Sequence, residues 1–173
     1  MKSIKKITLA ILALGFISIA QVFAAKAPTA VATFAGEAVE DEGVGTMTLT
    51  FYSDKTFVVH INVEGEIDLG EDLGTMQMKM DADYMAGTYK GDPKKDGKVT
   101  LTITKYSSEE YSEETSYKIL GAMIAGEPIE LTSEDMPLVE LPKKEWEKED
   151  LIIKDDAIDF EEIVLTRVVQ EGK

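Results

Sequence analysis

The feature that most constrains the fold is an alternation of apolar and polar residues along residues 45–106. In the segment 46–52, the apolar residues Met47, Leu49 and Phe51 occupy every second position. Because successive side chains of a β-strand point to opposite faces of the sheet, one face of this segment is apolar. The same alternation recurs in the segments 56–63, 75–82, 84–90 and 98–105. The pattern predicts an antiparallel meander with one buried face.

Turn residues separate these segments and favour an all-β domain. The run Asp-Pro-Lys-Lys-Asp-Gly at residues 92–97 predicts a tight turn, and Gly87 within a strand predicts a bulge or a bend. Weaker β-like segments lie at residues 33–39, 128–132, 151–154, 158–160 and 162–169. We expect about eight or nine strands, and their mostly local connections favour a meander barrel over a sandwich.

Three segments interrupt this pattern. Residues 117–124 fit either a short helix or another strand, since Leu120, Met123 and Ile124 would share a helical face that Gly121 weakens. Residues 107–114 are polar and acidic, which predicts an exposed excursion, and residues 65–73 predict a glycine-rich connection. Residues 137–148 predict a loop with at most one helical turn.

The N-terminal 24 residues have the pattern of a signal peptide. Lys2, Lys5 and Lys6 precede an uncharged run over residues 7–20, and small residues at Val22 and Ala24 follow. We therefore expect cleavage after Ala24, a single domain over residues 25–173, and export to the periplasm or the exterior of a bacterial cell. The apolar run is shorter than the ~20 residues that span a bilayer, so no stable membrane span is expected after cleavage.

The charge and the cysteine count exclude several classes of function. The net charge is −15, which repels nucleic acid and anionic membranes and leaves basic proteins or cationic ligands as possible partners. The chain has no cysteine, so it forms no disulfides and performs no thiol chemistry. Phosphate-binding loops, zinc motifs and nucleophile elbows are absent, and a lone histidine makes no catalytic triad. We therefore expect a protein that is not an enzyme and has no cofactor.

Several blocks of sequence resemble the lipocalin-like exported β-barrel proteins of bacteria. These are Met-Ala-Gly-Thr-Tyr-Lys at 85–90, Asp-Gly-Lys-Val-Thr-Leu-Thr at 96–102, the hairpin at 47–57 and the closing segment at 163–167. Lipocalins carry a tryptophan on the first strand, stacked by an arginine from the last. The only tryptophan here is Trp146, so the resemblance implies that Phe34 replaces it and that Arg167, the sole arginine, packs across Phe34.

The resemblance implies that a small hydrophobic or amphipathic molecule binds inside the barrel. The alternating pattern predicts which side chains would line that interior. They are Met47, Leu49, Phe51, Phe57, Val59, Ile61, Met76, Met78, Met80, Tyr89, Leu101 and Ile103.

Two alternatives remain open. The first is a structural or protein-interaction module of the cell envelope, with a filled barrel and a contact through the acidic residues 107–114. The second is a binder of Cu(I) or another soft metal through Met76, Met78, Met80 and His60, because thioethers suit soft metals. The ordinary interpretation is that these methionines fill an adaptable interior and that His60 is an exposed structural residue. A large interior cavity would favour the ligand binder, and a filled interior the interaction module.

Overall fold

The computed structural model describes residues 27–40, 43–68, 74–108, 112–160 and 163–169. These residues form ten strands, one α-helix and a short 3-10 turn at Lys143–Glu145. The elements are β1 (Ala30–Glu40), β2 (Gly43–Tyr52), β3 (Thr56–Asp68), β4 (Thr75–Lys90), β5 (Gly97–Ser107), α1 (Glu113–Ala125), β6 (Ile129–Thr132), β7 (Leu138–Glu140), β8 (Glu147–Ile153), β9 (Ala157–Phe160) and β10 (Ile163–Arg167). The predicted signal peptide lies outside the described residues.

One sheet contains all ten strands, and the expected all-β class is confirmed. Its main order is β7-β5-β4-β3-β2-β1-β10-β9, while β8 pairs with β5 and β6 pairs with β4. The β4–β6 pairing is parallel, and the other pairings are antiparallel. The described sheet is not closed by a continuous ladder, because β8 and β9 share only the bridge between Lys154 and Ala157.

A two-residue turn joins β8 to β9. Asp155 and Asp156 have φ values of 53° and 61°, and the amides and carbonyls of Lys154 and Ala157 exchange hydrogen bonds of 3.0 Å. Two left-handed residues in a row are the geometry of a tight hairpin turn that matches the twist of the strands. This turn separates the two β-like segments that the sequence predicts at residues 151–154 and 158–160.

Inward-facing residues from eight strands form one contiguous cluster, called here the main core. It contains Ala32, Phe34, Leu49, Phe51, Phe57, Val59, Met85, Tyr89, Val99, Leu101, Ile103, Leu151, Ile153, Ile158, Phe160 and Leu165. These residues belong to β1–β5 and β8–β10, so the sheet curls until strands at both of its ends share one interior. The alternation in the sequence correctly predicts this buried face.

Gly87 lies where the backbone of β5 comes close to β4. The register between these strands shifts between Ala86 and Gly87. A Cβ atom on Gly87 would collide with the carbonyl oxygen of Thr102, and it would lie 3.0 Å from Cε1 of Phe57. The missing side chain therefore permits the close approach, in agreement with the irregularity predicted at this glycine.

The central hairpin is longer than the sequence pattern predicts. Residues 75–90 form one continuous strand, whereas two segments were expected, and β3 continues to Asp68 through part of the predicted connection at 65–73. The register of β3 against β4 shifts between Val59 and His60, where Tyr84 is the extra residue. Because of this bulge, even-numbered residues of β4 face inward before Tyr84 and odd-numbered residues face inward after it. The sequence pattern of this one strand therefore looks like two separate strands.

The structure also corrects the prediction for the acidic excursion. Residues 107–114 were expected to be an exposed loop, but Ser107 ends β5 and α1 begins at Glu113. Ser112 caps the helix by accepting a 3.0 Å hydrogen bond from the amide of Thr115, and Glu113 and Glu114 fill the first turn, where acidic side chains favour a helix. The helical alternative for residues 117–124 is therefore correct.

The predicted loop at residues 137–148 is likewise only partly correct. It contains β7 and the 3-10 turn, and β8 begins within it at Glu147. Strands form here because β7 and β8 both pair with β5, which is distant in sequence. The local sequence pattern does not reveal such a pairing.

Candidate binding surfaces

The predicted interior residues of the central strands are brought together, and they fill the space they surround. Leu49, Phe51, Phe57, Val59 and Leu101 each have an exposed fraction of 0%. A void that admitted a water-sized sphere would leave accessible surface on the side chains around it, and these have none. Tyr89 and Ile103 are buried in the same main core, and Met47 packs against it at the edge. The interior around these residues is thus packed with side chains.

Tyr89 shows how closely this interior is filled. Its ring meets the ring of Phe51 edge to face at 4.9 Å, and its hydroxyl donates a 2.9 Å hydrogen bond to the carbonyl of Tyr52. Burial raises the pKa of the Tyr89 hydroxyl, and the nearby carboxylates of Asp54 and Asp92 raise it further. The Tyr89 hydroxyl therefore has its hydrogen-bond partner within the chain.

The remaining predicted interior residues lie under α1. Met76 belongs to a second cluster with Ala82, Ile129, Leu131 and Met136. The partly buried residues packed against this second core are Met78, Met80, Ile119, Ala122 and Met123. Ile61 pairs with Ala82 and is half-buried on the same face of the sheet. The three methionines of β4 thus belong to the second core or its edge, a place where flexible thioether side chains adapt well.

His60 lies on the opposite face of the sheet from these methionines. It alternates with the inward-facing Val59 and Ile61, and its ring lies between two carboxylates, with Nε2 2.7 Å from Oδ1 of Asp81 and Nδ1 3.0 Å from Oδ1 of Asp83. The carboxylates flank opposite edges of the ring, so they do not converge on one point. In the described part of the chain, no group of three or more His, Cys, Asp or Glu residues is placed to hold a metal ion.

Soft-metal binding through His60 and the methionines stays a prediction, and the structure does not bring the four side chains together. Because His60 lies on the opposite face of the sheet, a soft metal would have to be bound by the thioethers alone.

The sole arginine closes one end of the main core. The Cζ atom of Arg167 lies 4.6 Å from the centroid of the Phe34 ring, so the stacking implied by the lipocalin resemblance is present. Its Nε donates a 2.6 Å hydrogen bond to Oδ1 of Asp156, and its Nη1 donates a 2.9 Å hydrogen bond to the carbonyl of Pro93. The remaining nitrogen, Nη2, is buried and has no hydrogen-bond partner.

A groove with a volume of about 280 Å³ lies where the pairing of β1 with β10 ends, and is called here the β1–β10 groove. The last hydrogen bond of that pairing runs from the amide of Val168 to the carbonyl of Thr33, at 2.8 Å. The groove is lined by Val31, Ala32, Thr33, Arg167, Val168 and Val169. Four of these six side chains are valine or alanine, so the groove is mainly apolar.

The helix α1 is fixed to the sheet on one side. Ile119, Ala122 and Met123 pack on the second core, and the ammonium group of Lys118 lies 2.7 Å from Oδ2 of Asp135, in the turn after β6. The hydrogen bond from Lys118 is the largest of the effects that hold the pKa of Asp135 below its usual value, and bonds from Thr132 add to it. Packing and this ion pair together set the orientation of the helix.

The opposite side of α1 presents an apolar stripe to solvent. Tyr117, Leu120 and Ile124 are spaced three and four residues apart, so they share one side of the helix. Their exposed fractions are 65%, 49% and 79%. This set of residues is called here the α1 stripe. Two apolar faces on one helix are unusual for a helix that only covers a core, because the outer face of such a helix is normally polar.

Acidic residues stand at both ends of the α1 stripe. Glu113 lies one turn before Tyr117 and accepts a hydrogen bond from its hydroxyl at 3.3 Å, with Glu114 beside it. Glu127 follows the glycine that ends the helix, Gly126, whose φ of 66° is left-handed. The only basic residue of α1 is Lys118, which is already paired with Asp135.

Sequence reasoning missed the α1 stripe and the β1–β10 groove for different reasons. The apolar residues of α1 were visible, but only Leu120 and Ile124 of the stripe were assigned to a helical face, and they were expected to share it with Met123. Seven apolar residues in a helix of 13, counting Tyr117 and the two alanines, could have signalled two faces instead of one. The groove depends on where two strands that are distant in sequence separate, for which no local signal exists.

Comparison of the chain with protein-family models, with curated proteins and with solved structures finds no match. Among the residues that the structure describes, no helix combines the length and the hydropathy that crossing a membrane requires.

Proposed function

We propose that the chain is a non-enzymatic protein-interaction module that binds a partner through the α1 stripe. The observation that carries the proposal is the exposure of Tyr117, Leu120 and Ile124 on a helix that is fixed to the sheet by its other side. Exposed apolar side chains grouped in one place mark interaction sites on soluble proteins more often than scattered ones do. The packed main core supports the same choice, because it leaves no space for a ligand around its fully buried side chains.

The proposed architecture is a filled barrel of the lipocalin-like type. Strands from both ends of the sheet contribute to one main core, and the bridge at Lys154 and Ala157 brings β8 beside β9. The stacking of Arg167 on Phe34 adds to the resemblance in sequence. In this proposal the protein is exported, and a stable, packed sheet serves as the support for a binding helix.

The charges around the α1 stripe determine the chemistry of the partner. Glu113 and Glu114 stand at one end and Glu127 at the other, so a partner with apolar side chains flanked by lysine or arginine would gain both burial and attraction. A second copy of this chain fits less well. An isologous pairing of two stripes would bring like charges together, and each copy carries a net charge of −15. We therefore assign the site to a cationic amphipathic segment of another protein, presented as a helix.

The proposal is tested with a synthetic 14-residue helix of leucine and lysine that carries a fluorescent label. Fluorescence anisotropy should show saturable binding to the purified domain and a lower affinity at high salt. The double variant L120S/I124S keeps the charge and removes two apolar contacts, each worth roughly 1.5 kcal/mol or more when buried. We expect its affinity to be at least about tenfold weaker.

A control separates this result from simple attraction between opposite charges. Ile152 is 58% exposed on β8, so the variant I152S removes a comparable apolar group from another surface. Its affinity for the peptide should equal that of the wild-type chain. Equal binding by all three proteins would contradict the proposal, because the peptide would then recognise only the net charge. No binding by the wild-type chain would contradict it as well.

A further inference from the structure

Methionines are concentrated in the second core, the cluster on which α1 packs. Five of the ten residues in this cluster and its packed edge are methionines, whereas the main core contains only Met85. The five come from β4, from α1 and from the turn after β6, and they are Met76, Met78, Met80, Met123 and Met136. The packing that attaches α1 to the sheet is therefore built largely from thioether side chains.

These methionines differ in how much of each side chain solvent can reach. Three of the five, Met78, Met80 and Met123, are half-buried. The other two are buried, and Met85 in the main core has an exposed fraction of 0%. A dissolved oxidant must contact a thioether sulfur to oxidise it, so the susceptibility of a methionine rises with its exposure. The second core thus offers thioethers to an oxidant in the folded chain, and the main core does not.

A peroxide converts such a thioether into a sulfoxide. The sulfur atom attacks one oxygen of the peroxide, the O–O bond breaks as the S–O bond forms, and the second oxygen leaves as water or, from an organic peroxide, as an alcohol. The sulfur is oxidised by two electrons and the peroxide is reduced, so no further reactant is needed. The product is polar, and it disrupts a packed apolar cluster because its oxygen needs hydrogen bonds that the cluster does not supply.

Disruption of the second core would act first on α1. The helix packs on this cluster through three side chains, those of Ile119, Ala122 and Met123. The strand that follows the helix, β6, pairs with β4 at the positions of Met78 and Met80. The main core is a separate cluster that contains no residue of α1 or β6. Because proteins open in cooperative local units, loss of the second core can free the helix while the main core remains folded.

We propose that Met78, Met80 and Met123 are sites of modification by peroxides, and that their sulfoxides release α1 from the sheet. The attachment of the helix would then depend on the oxidants around the protein, and it would be restored when the sulfoxides are reduced. This inference concerns how α1 is held, and it does not depend on whether the α1 stripe binds a partner.

Hydrogen peroxide is the probe, applied to the purified protein at neutral pH. Mass spectrometry of the digested protein should find sulfoxides at Met78, Met80 and Met123 and an unmodified Met85. Hydrogen exchange of the intact oxidised protein should be at least about tenfold faster in α1 and unchanged in β2 and β5. The proposal fails if the three methionines are not oxidised, if α1 keeps its original exchange rate after oxidation, or if the main-core strands lose protection together with it.

A triple variant tests the assignment to these three side chains. M78L/M80L/M123L removes the sulfur atoms and keeps apolar side chains of similar volume, so its α1 should exchange as slowly after peroxide treatment as before. The control M47L removes a half-buried methionine at the edge of the main core, and its α1 should respond as in the wild-type chain. Release of α1 in the treated triple variant, or its protection by M47L, would overturn the assignment.

Reduction of the sulfoxides gives a test that needs no variant. Methionine sulfoxide reductases specific for the two sulfoxide epimers, supplied with a dithiol, return the oxidised side chains to thioethers. The oxidised wild-type protein should then recover the slow hydrogen exchange of α1. A helix that still exchanges rapidly once mass spectrometry shows complete reduction would contradict the proposal, because the release would then come from another, irreversible change.

Discussion

At the scale of single residues, two glycines show how the same substitution can have opposite effects. Gly87 has no room for a Cβ atom, because the carbonyl of Thr102 and the ring of Phe57 occupy that space. Gly121 lies on the exposed side of α1, and nothing lies within 4 Å of the place where its Cβ would be. The first glycine is required by packing, and the second only weakens its helix.

We therefore predict that G87A lowers the free energy of unfolding by roughly 2 kcal/mol, because the added methyl group forces β4 away from β5. In contrast, G121A should raise it by about 0.5–1 kcal/mol, since alanine favours a helix more than glycine does. Urea denaturation of both variants, followed by circular dichroism, measures these changes. A neutral effect of G87A would show that the strands approach less closely than described.

Single residues also show how far the sequence could predict a contact. The stacking of Arg167 on Phe34 was predicted from a resemblance and is confirmed, because the pairing of β1 with β10 places Phe34 opposite Arg167. The position of His60 between Asp81 and Asp83 was not predicted, although its place on a polar strand face was. That contact depends on the register of β3 against β4, which the bulge at Tyr84 sets.

At the scale of elements, the attachment of α1 depends on the ion pair between Lys118 and Asp135. The side chain of Asp135 is only 14% exposed, and its Oδ2 atom also accepts hydrogen bonds from the amide and hydroxyl of Thr132. The pKa of Asp135 is lower in the folded chain than in the unfolded one, mainly through the hydrogen bond from Lys118. Its contribution to stability is thus complete above the unfolded pKa, near 4, and is lost as the pH falls through the folded value.

We predict that D135N lowers the free energy of unfolding by roughly 1–2 kcal/mol at pH 7. At about pH 3, below the unfolded pKa, the difference from the wild-type chain should be smaller than at pH 7, because ionised Asp135 then contributes less to stability. Urea denaturation at the two pH values measures the difference in the free energy of unfolding between D135N and the wild-type chain. The control E140Q breaks the more exposed pair with Lys105 and should change stability by less than about 0.5 kcal/mol at either pH. An effect of D135N that is the same at both pH values would contradict this account.

Elements with strong alternation were predicted best. The strands β2 and β5 and the first part of β3 lie where the pattern placed them, because each has one face in the main core. The helix α1 and the strands β7 and β8 were predicted poorly, since the helix packs on the second core, which distant segments form, and the two strands depend on pairing with β5. Contacts that join distant parts of the chain leave little trace in local periodicity.

At the scale of the whole molecule, the account depends on an interior that is filled by its own side chains. The regular alternation predicted one apolar interior, whereas the structure divides the buried residues between the main core and the second core. Whether that interior would be open or filled was not predictable, since it depends on how tightly the sheet curls and on how residues such as Phe34, Phe57 and Phe160 meet across it. Binding is assigned to the surface because this space is occupied.

Xenon tests the filled interior most directly, because it enters empty apolar cavities in proteins. Methyl groups of leucine and valine are labelled with ¹³C, and their spectra are recorded under increasing xenon pressure. We predict that the methyl signals of Leu49, Leu101 and Leu165 shift no more than those of Val164, which is 57% exposed on β10. Large, saturable shifts confined to the three buried leucines would reveal an interior cavity and would contradict the account.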